Sequence, residues 1–245
     1  MTTFHNLLIK NVCLLLLCCV VCNAASAQRR RSGSVIQAYP VAGATVSQIE
    51  GDYLKGFKKW GFTAGVGAQV KLVADERWLF TMEADFTQRG SEERVRNAEI
   101  PYLVSGLTLN YVDIPLTFHF KDPYGGIMVG AGFVYSRLVQ QPHGTISYNP
   151  KYVEPDTSDM SFLKNDLAVA GDLRFTLWQG LQLNLRVQYS IIPVKKGWKF
   201  VEHVTAQDSE PPIVTVNDCR NFSIALRLLY VFGGDYNSRS RKSRR

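Results

Sequence analysis

Residues 60–72 read WGFTAGVGAQVKL, and this stretch alternates between apolar and other side chains at every step. The even positions carry the apolar residues, which are Trp60, Phe62, Ala64, Val66, Ala68, Val70 and Leu72. Glycine, threonine, glutamine and lysine occupy the odd positions between them. Successive side chains of a β-strand point to opposite faces of a sheet, so this period of two predicts a strand with one wholly uncharged face.

The same alternation recurs along the chain, and no segment has a convincing helical period. Six further stretches show it, within residues 78–87, 112–120, 127–135, 167–177, 181–191 and 222–232. A weaker candidate spans Ser34–Ser47, where Pro40 suits a first strand or a bulge better than a central strand. The pattern therefore predicts an all-β fold of eight strands.

The connections between these stretches alternate strictly in length. Three are tight turns, namely Val73–Arg77, Lys121–Gly125 and Trp178–Gly180. Four are long and rich in charge, proline and serine, namely Gln48–Phe57, Gln88–Gly106, Val139–Asn165 and Pro193–Arg220. Short turns on one rim and long loops on the other are typical of bacterial outer-membrane barrels. We therefore predict an eight-stranded antiparallel up-and-down transmembrane β-barrel in the outer membrane, with both termini in the periplasm.

The second face of each strand favours a membrane barrel over a soluble one. A soluble barrel would turn that face to water and carry many lysines and glutamates, whereas here it is rich in Gly, Thr, Ser, Gln and Asn with balanced charges. Aromatic residues near the ends of the apolar faces predict an interfacial girdle of Trp60, Trp78, Tyr135, Tyr189 and Tyr230. Outer-membrane lipid and lipopolysaccharide are then the expected surroundings.

The inward faces predict a polar network that fills the lumen. Eight strands enclose an interior just wide enough for side chains. The candidate network residues are Lys59, Lys71, Glu83, Asp85, Asp113, His119, Asp172, Arg174, Arg186 and Arg227. Their opposite charges nearly cancel, which favours mutual pairing inside the lumen. A proton or ion path through the network is the alternative.

The first 27 residues resemble a signal peptide. An apolar run, Val12–Cys22, precedes Ala25-Ser26-Ala27, so cleavage after Ala27 would make Gln28 the first residue of the mature chain. An uncleaved anchor is the alternative. Of the five cysteines, Cys13, Cys18, Cys19 and Cys22 would leave with this segment, and Cys219 would remain as a loop thiol without a disulfide partner.

The formal net charge of +7 belongs to the two ends of the predicted barrel, which spans residues 34–232. A short basic segment, residues 28–33, contains Arg29, Arg30 and Arg31, and the tail of residues 233–245 contains Arg239, Arg241, Lys242, Arg244 and Arg245. The remainder is slightly acidic, so no nucleic-acid partner is expected. The tail is either a solubilising segment or a docking element for an acidic periplasmic partner.

Several stretches resemble the PorT-like outer-membrane β-barrels of Bacteroidota. They are residues 61–67 (GFTAGVG), 83–90 (EADFTQRG), 109–116 (LNYVDIPL), 129–132 (VGAG) and 185–189 (LRVQY). Ile191 departs from the resemblance, because family members tend to have a glycine there. The resemblance implies an eight-stranded outer-membrane barrel. It also implies a possible link to a protein-secretion system, since the member that names the family looks like an assembly factor for one.

Three functions of different classes remain open. The favoured one is a non-enzymatic structural or assembly barrel, with a periplasmic or secretion-system protein as a possible partner. The second is a surface adhesin or receptor that acts through the long loops. The third is a lipid-modifying enzyme that would use His119, His143 or His203, although no nucleophile motif accompanies them. No EF-hand spacing is present, and no metal or cofactor is expected.

Overall fold

The computed structural model describes residues 36–52, 56–72, 77–95, 103–123, 126–145, 154–155, 161–202 and 213–232. Among these residues no helix is long and apolar enough to cross a membrane. They form strands β1 (Ile36–Glu50), β2 (Lys59–Lys71), β3 (Trp78–Val95), β4 (Leu103–Lys121), β5 (Ile127–Thr145), β6 (Glu154–Pro155), β7 (Asn165–Trp178), β8 (Leu181–Ser190), β9 (Lys195–Glu202) and β10 (Ile213–Tyr230).

Eight of these strands close into a barrel, in the order β1, β2, β3, β4, β5, β7, β8 and β10. Every neighbouring pair is antiparallel. The barrel closes where β1 pairs with β10, from Val41 opposite Leu229 to Glu50 opposite Arg220. The predicted eight-stranded antiparallel up-and-down barrel is confirmed.

The described part of the first strand runs from Ile36 to Glu50, so this strand ends three residues later than the predicted Ser47. Pro40 lies opposite Val66 of β2, whereas the ladder between β1 and β10 begins only at Val41. Proline has no N–H to donate, and it is tolerated at Pro40 because only one neighbouring strand pairs with β1 at that position.

All four predicted long loops are wrong in extent, because strands continue past the predicted barrel rim, by three residues for β1 and by more elsewhere. The β3–β4 hairpin stays paired up to Val95 opposite Leu103, and β5 runs to Thr145. Residues 195–202 form β9, which pairs with the first part of β10, and β6 pairs with β9. The series of apolar residues at alternate positions ends before these extensions begin. The sequence pattern therefore did not predict that the strands continue.

The two faces of the barrel wall differ as the alternation predicts. On β2, Trp60 is 68% exposed and Val66 is 51% exposed, while Thr63 and Gln69 are buried. On β4, Leu116 and Phe118 point outward, between the buried inward side chains of Thr117 and His119. The barrel therefore has an apolar exterior and a polar interior, the reverse of a water-soluble protein.

Candidate functional site

The interior of the barrel holds a connected group of charged side chains at mid-height, the central ion cluster. Its members come from strands β3, β4, β7, β8 and β10, and all are buried: Glu83, Asp85, His119, Asp172, Arg174, Arg186 and Arg227. Each occupies an inward position of its strand, and the closure of the barrel together with the registers of its ladders brings them together.

Glu83 is the hub of the central ion cluster. Its Oε1 accepts hydrogen bonds from Tyr39 Oη at 2.8 Å and from Arg174 Nη2 at 2.9 Å. Its Oε2 accepts from Arg186 Nη1 at 2.9 Å and Arg227 Nη1 at 2.8 Å. Moving one carboxylate from water into a low-dielectric interior costs roughly several kcal/mol, unless positively charged hydrogen-bond donors surround it. Glu83 has three such donors.

Asp172 is the second anchor. Arg186 binds it through both branches of the guanidinium, with Nε to Oδ1 at 2.7 Å and Nη2 to Oδ2 at 2.6 Å. His119 Nε2 lies 3.2 Å from Asp172 Oδ2. A two-point contact between a guanidinium and a carboxylate fixes the orientation of both groups. Arg186 thus joins Glu83 and Asp172 into one rigid unit.

A second charged group, the Arg89 group, lies nearer the long-loop rim. Arg89 is hydrogen-bonded to Asp113, and its Nη1 lies 3.9 Å from Asp166 Oδ2. Ser190 Oγ donates to Asp166 at 2.7 Å, and Asn221 Nδ2 lies 3.4 Å from the same oxygen. The guanidinium also stacks over the Tyr111 ring at 5.1 Å. Arg89 thus links Asp113 on β4 with Asp166 on β7.

The structure brings together most of the predicted network residues and separates two of them. Lys59 and Lys71 lie at opposite ends of β2, half-buried, and Lys59 Nζ is 4.0 Å from Glu92 Oε2. Asp113 belongs to the Arg89 group, and the other predicted members form the central ion cluster. The cleavage residues Ala25, Ala27 and Gln28 lie outside the described residues, as do His203 and the side chain of His143.

The sequence pattern did not identify two charged residues of the lumen, Arg89 and Asp166. Arg89 was assigned to a loop because the apolar face of β3 ends at Phe86, although the inward series Glu83, Asp85, Thr87 continues directly to Arg89. Asp166 was missed for the same reason at the start of β7. Extending each inward series by one or two alternate positions would have found both.

Above the Arg89 group the interior becomes apolar. The residues of this apolar plug are Ile49, Leu107, Leu109, Tyr111, Leu138, Phe162, Val194, Trp198 and Cys219. Lys195 Nζ caps it, donating to Ser161 O at 3.1 Å beside the rings of Phe162 and Trp198. The predicted loop position of Cys219 is wrong, because this residue is fully buried within β10. Inward positions in the extended hairpins thus build a core of the soluble-protein type.

The side chains of both groups pack closely and fill the interior around them. His119 is 1% exposed and its Nε2 faces Asp172. Among the described residues, no group of three or more His, Cys, Asp or Glu side chains is placed to hold a metal ion. The paired charges instead hold the strands of the wall at fixed separations.

No family model matches the chain, and no curated protein matches it. Similar solved structures include the attachment invasion locus protein Ail of Yersinia pestis, at 12% identity and a TM-score of 0.40 over 80% of this chain and 98% of that chain. Neisserial surface protein A matches at 12% identity and a TM-score of 0.39, over 80% of this chain and 97% of that chain. The outer membrane protease OmpT of Escherichia coli matches at 13% identity and a TM-score of 0.32, over 84% of this chain and 100% of that chain.

These three likenesses carry no argument about function at such identities and TM-scores. The assignment to the closed eight-stranded barrel fold rests on the strand order and registers of this chain itself.

Proposed function

We propose that this protein is a non-enzymatic outer-membrane β-barrel that spans the bilayer with a sealed, side-chain-filled lumen. The observation that carries the proposal is the inverted surface of the wall. Large apolar side chains are exposed on every barrel strand, among them Ile36, Val66, Met82, Phe118, Phe133, Val169, Val187 and Leu228. Charged side chains are buried inside. Only a lipid environment makes that distribution favourable.

The height of the apolar exterior fits a bilayer. Twelve steps of β2 separate Trp60 from Leu72, which at about 3.3 Å per residue and a tilt of about 40° span roughly 30 Å. Outer-membrane barrels have an apolar band about 25 Å tall. Exposed aromatic residues mark both ends, with Trp60 and Tyr135 toward the long loops and Trp78, Trp178 and Tyr230 toward the short turns.

The lumen supports a sealed barrel rather than a pore. The central ion cluster and the Arg89 group occupy its middle, and the apolar plug occupies the end at the long loops. We therefore assign a structural or assembly role in place of conduction.

Quenching of tryptophan fluorescence by brominated lipids tests the membrane position. A variant that keeps only Trp178, which is 70% exposed, should be strongly quenched in brominated vesicles. A variant that keeps only Trp198, which is 5% exposed in the plug, should not be quenched. Equal quenching of the two variants, or recovery of the protein in the soluble periplasm, contradicts the proposal.

Conductance measurements on the protein reconstituted in planar bilayers test the sealed lumen, and an ion current through the barrel would contradict it.

The sidedness of the barrel is part of this proposal. β1 begins and β10 ends at the rim with the short turns, so both tails leave from the same rim. In outer-membrane barrels that rim faces the periplasm. The basic tails would then meet a periplasmic partner, which the PorT-like resemblance suggests is part of a protein-secretion system.

Crosslinking in native outer membranes tests this part. Truncation after Tyr236 should leave the barrel folded, because β10 ends at Tyr230, and should remove the salt-sensitive partner. If the crosslinked partners and their salt sensitivity were unchanged by the truncation, docking through the tail would be contradicted.

The intact mass of the purified protein should show a mature chain that begins at Gln28.

A surface receptor or adhesin is the second candidate, and one observation favours it. The extension formed by β9 and β10 carries Val214 and Val216 on its outer face, where they are 53% and 57% exposed. Substituting both with serine should abolish ligand binding by a receptor and leave an assembly barrel with its periplasmic partner. A lipid-modifying enzyme is less well supported, since His119 is enclosed.

A further inference from the structure

A small polar cavity separates the central ion cluster from the Arg89 group. Its lining includes three threonines and the side chains of Asp85, Asp113, Arg186, Gln188 and Arg227. Its volume suffices for about one water molecule. The cavity lies where β3 and β4 face each other with Asp85 directly opposite Asp113. The carboxylates of Asp85 and Asp113 are therefore direct cross-strand neighbours, and two like charges in such positions destabilise a sheet.

Four buried atoms that belong to residues lining this cavity have no hydrogen-bond partner among the described residues. Two are acceptors, Oδ1 of Asp85 and Oδ1 of Asp113, and two are donors, Nη2 of Arg227 and Nε2 of Gln188. All four residues are more than nine-tenths buried. A bare metal ion would satisfy only the acceptors. A water molecule both donates and accepts, so it matches the whole set.

The buried charges of these two groups do not balance. Among the described lumen residues, the cations are Arg89, Arg174, Arg186 and Arg227, and the carboxylates are Glu83, Asp85, Asp113, Asp166 and Asp172. One carboxylate is therefore in excess if His119 is neutral. An uncompensated charge in a dry interior is costly, and an acid relieves that cost by holding a proton.

Asp85 is the carboxylate that shares both of its cations with a closer acid. Arg227 Nη1 lies 3.1 Å from Asp85 Oδ2 and 2.8 Å from Glu83 Oε2. Arg186 Nη1 lies 3.8 Å from Asp85 Oδ2 and 2.9 Å from Glu83 Oε2. The other acids have better partners, because Asp172 has both branches of Arg186 and Asp113 has Arg89. Asp166 accepts hydrogen bonds from Ser190 and Asn221, and Arg89 Nη1 lies 3.9 Å from the same oxygen.

We propose that Asp85 is a proton-binding site of the lumen, which shares its proton with Asp113 through one buried water molecule. Gly65 of β2 gives the carboxyl group the room it needs, because a Cβ there would lie 2.2 Å from Asp85 Oδ1. The charged groups that face the site are Glu83 and Arg89 from β3, Asp113 from β4, Arg186 from β8 and Arg227 from β10. Threonines and a glutamine complete the lining.

Infrared spectroscopy of the folded barrel with ¹³C-labelled aspartate tests this assignment. The wild type should show the C=O band of a neutral carboxyl group at pH 7, and Asp85→Asn should lack it. Asp122→Asn, at the short turn after β4, is the control and should retain the band. A band absent from the wild type, or present in Asp85→Asn, overturns the proposal.

Unfolding measurements separate Asp85 from Asp113 as the proton carrier. An amide resembles a neutral carboxyl group, so Asp85→Asn should keep the wild-type unfolding constant at pH 7 within about threefold, whereas Asp113→Asn should lose at least about tenfold because Arg89 loses its partner. The opposite ranking of the two variants would overturn the assignment.

The pH dependence provides an independent readout. Between about pH 5 and the pH at which Asp85 releases its proton, the folded state holds one proton that the unfolded state lacks. Stability should therefore fall as the pH rises, by up to about tenfold in the folding constant per pH unit. The difference in stability between the wild type and Asp85→Asn, measured at each pH, gives the contribution of Asp85 alone. Any contribution of His119 is present in both proteins and cancels. Parallel profiles would contradict the proposal.

Discussion

The imidazole of His119 on β4 lies over the backbone of Gly130 on β5, directly opposite it in the ladder. A Cβ at residue 130 would come within 2.4 Å of His119 Cδ2, closer than real contacts allow. Because Gly130 has no side chain, the imidazole of His119 fits against its backbone. That ring in turn reaches Asp172 on β7.

Gly130→Ala should therefore destabilise the barrel by about 1–3 kcal/mol, because His119 must leave its position beside Asp172. Equilibrium unfolding in urea, in the presence of lipid or detergent, measures this change. Gly171→Ala is the matched control, since a Cβ there would have no atom within 4 Å. Equal effects of the two substitutions would mean that the space over Gly130 is not filled by the imidazole.

Val66→Arg should cost about 2–4 kcal/mol of unfolding free energy, because lipid at mid-depth cannot solvate a guanidinium. Val66 lies midway between Trp60 and Leu72 on the exposed face of β2. Leu72→Arg, at the end of the same face, should cost only about 0–1 kcal/mol. Two similar values would show that this face does not cross a bilayer.

Glu83→Gln should destabilise the barrel by about 3–5 kcal/mol, because three guanidinium groups lose their shared carboxylate inside the lumen. The gel shift between heated and unheated samples reports whether the variant still folds, and chemical unfolding gives the size of the effect. Lys59→Gln, which removes a partly exposed pair with Glu92, should change stability by no more than about 1 kcal/mol. A Glu83→Gln effect as small as that control would contradict the role of Glu83 as hub.

Cys219 should react slowly with maleimide in the folded barrel and rapidly after denaturation, because its thiol is fully buried in the apolar plug. Trp198→Ala should accelerate labelling of the folded protein by opening the plug beside it. Mass spectrometry of the mature chain measures both rates. Labelling of the folded wild type as fast as that of a free thiol would place Cys219 in an open loop, as the sequence alone suggested.

The sequence by itself determined the wall of this protein. Alternation on β2, β4 and β10 is a local property, because side-chain direction along a strand depends only on position within the strand. It predicted which residues face outward and which face inward. The tight turns and long connections then predicted the order of the strands around the barrel.

Only the tertiary structure decided which inward side chains meet. Arg227 reaches Glu83 across 144 positions of sequence, and their contact depends on the closure of β10 against β1 and on the register of every ladder between them. The same registers place Asp85 opposite Asp113 and enclose Cys219 in the apolar plug. A shift of one residue in any ladder would turn each of these side chains to the other face, and no local pattern in the sequence records that register.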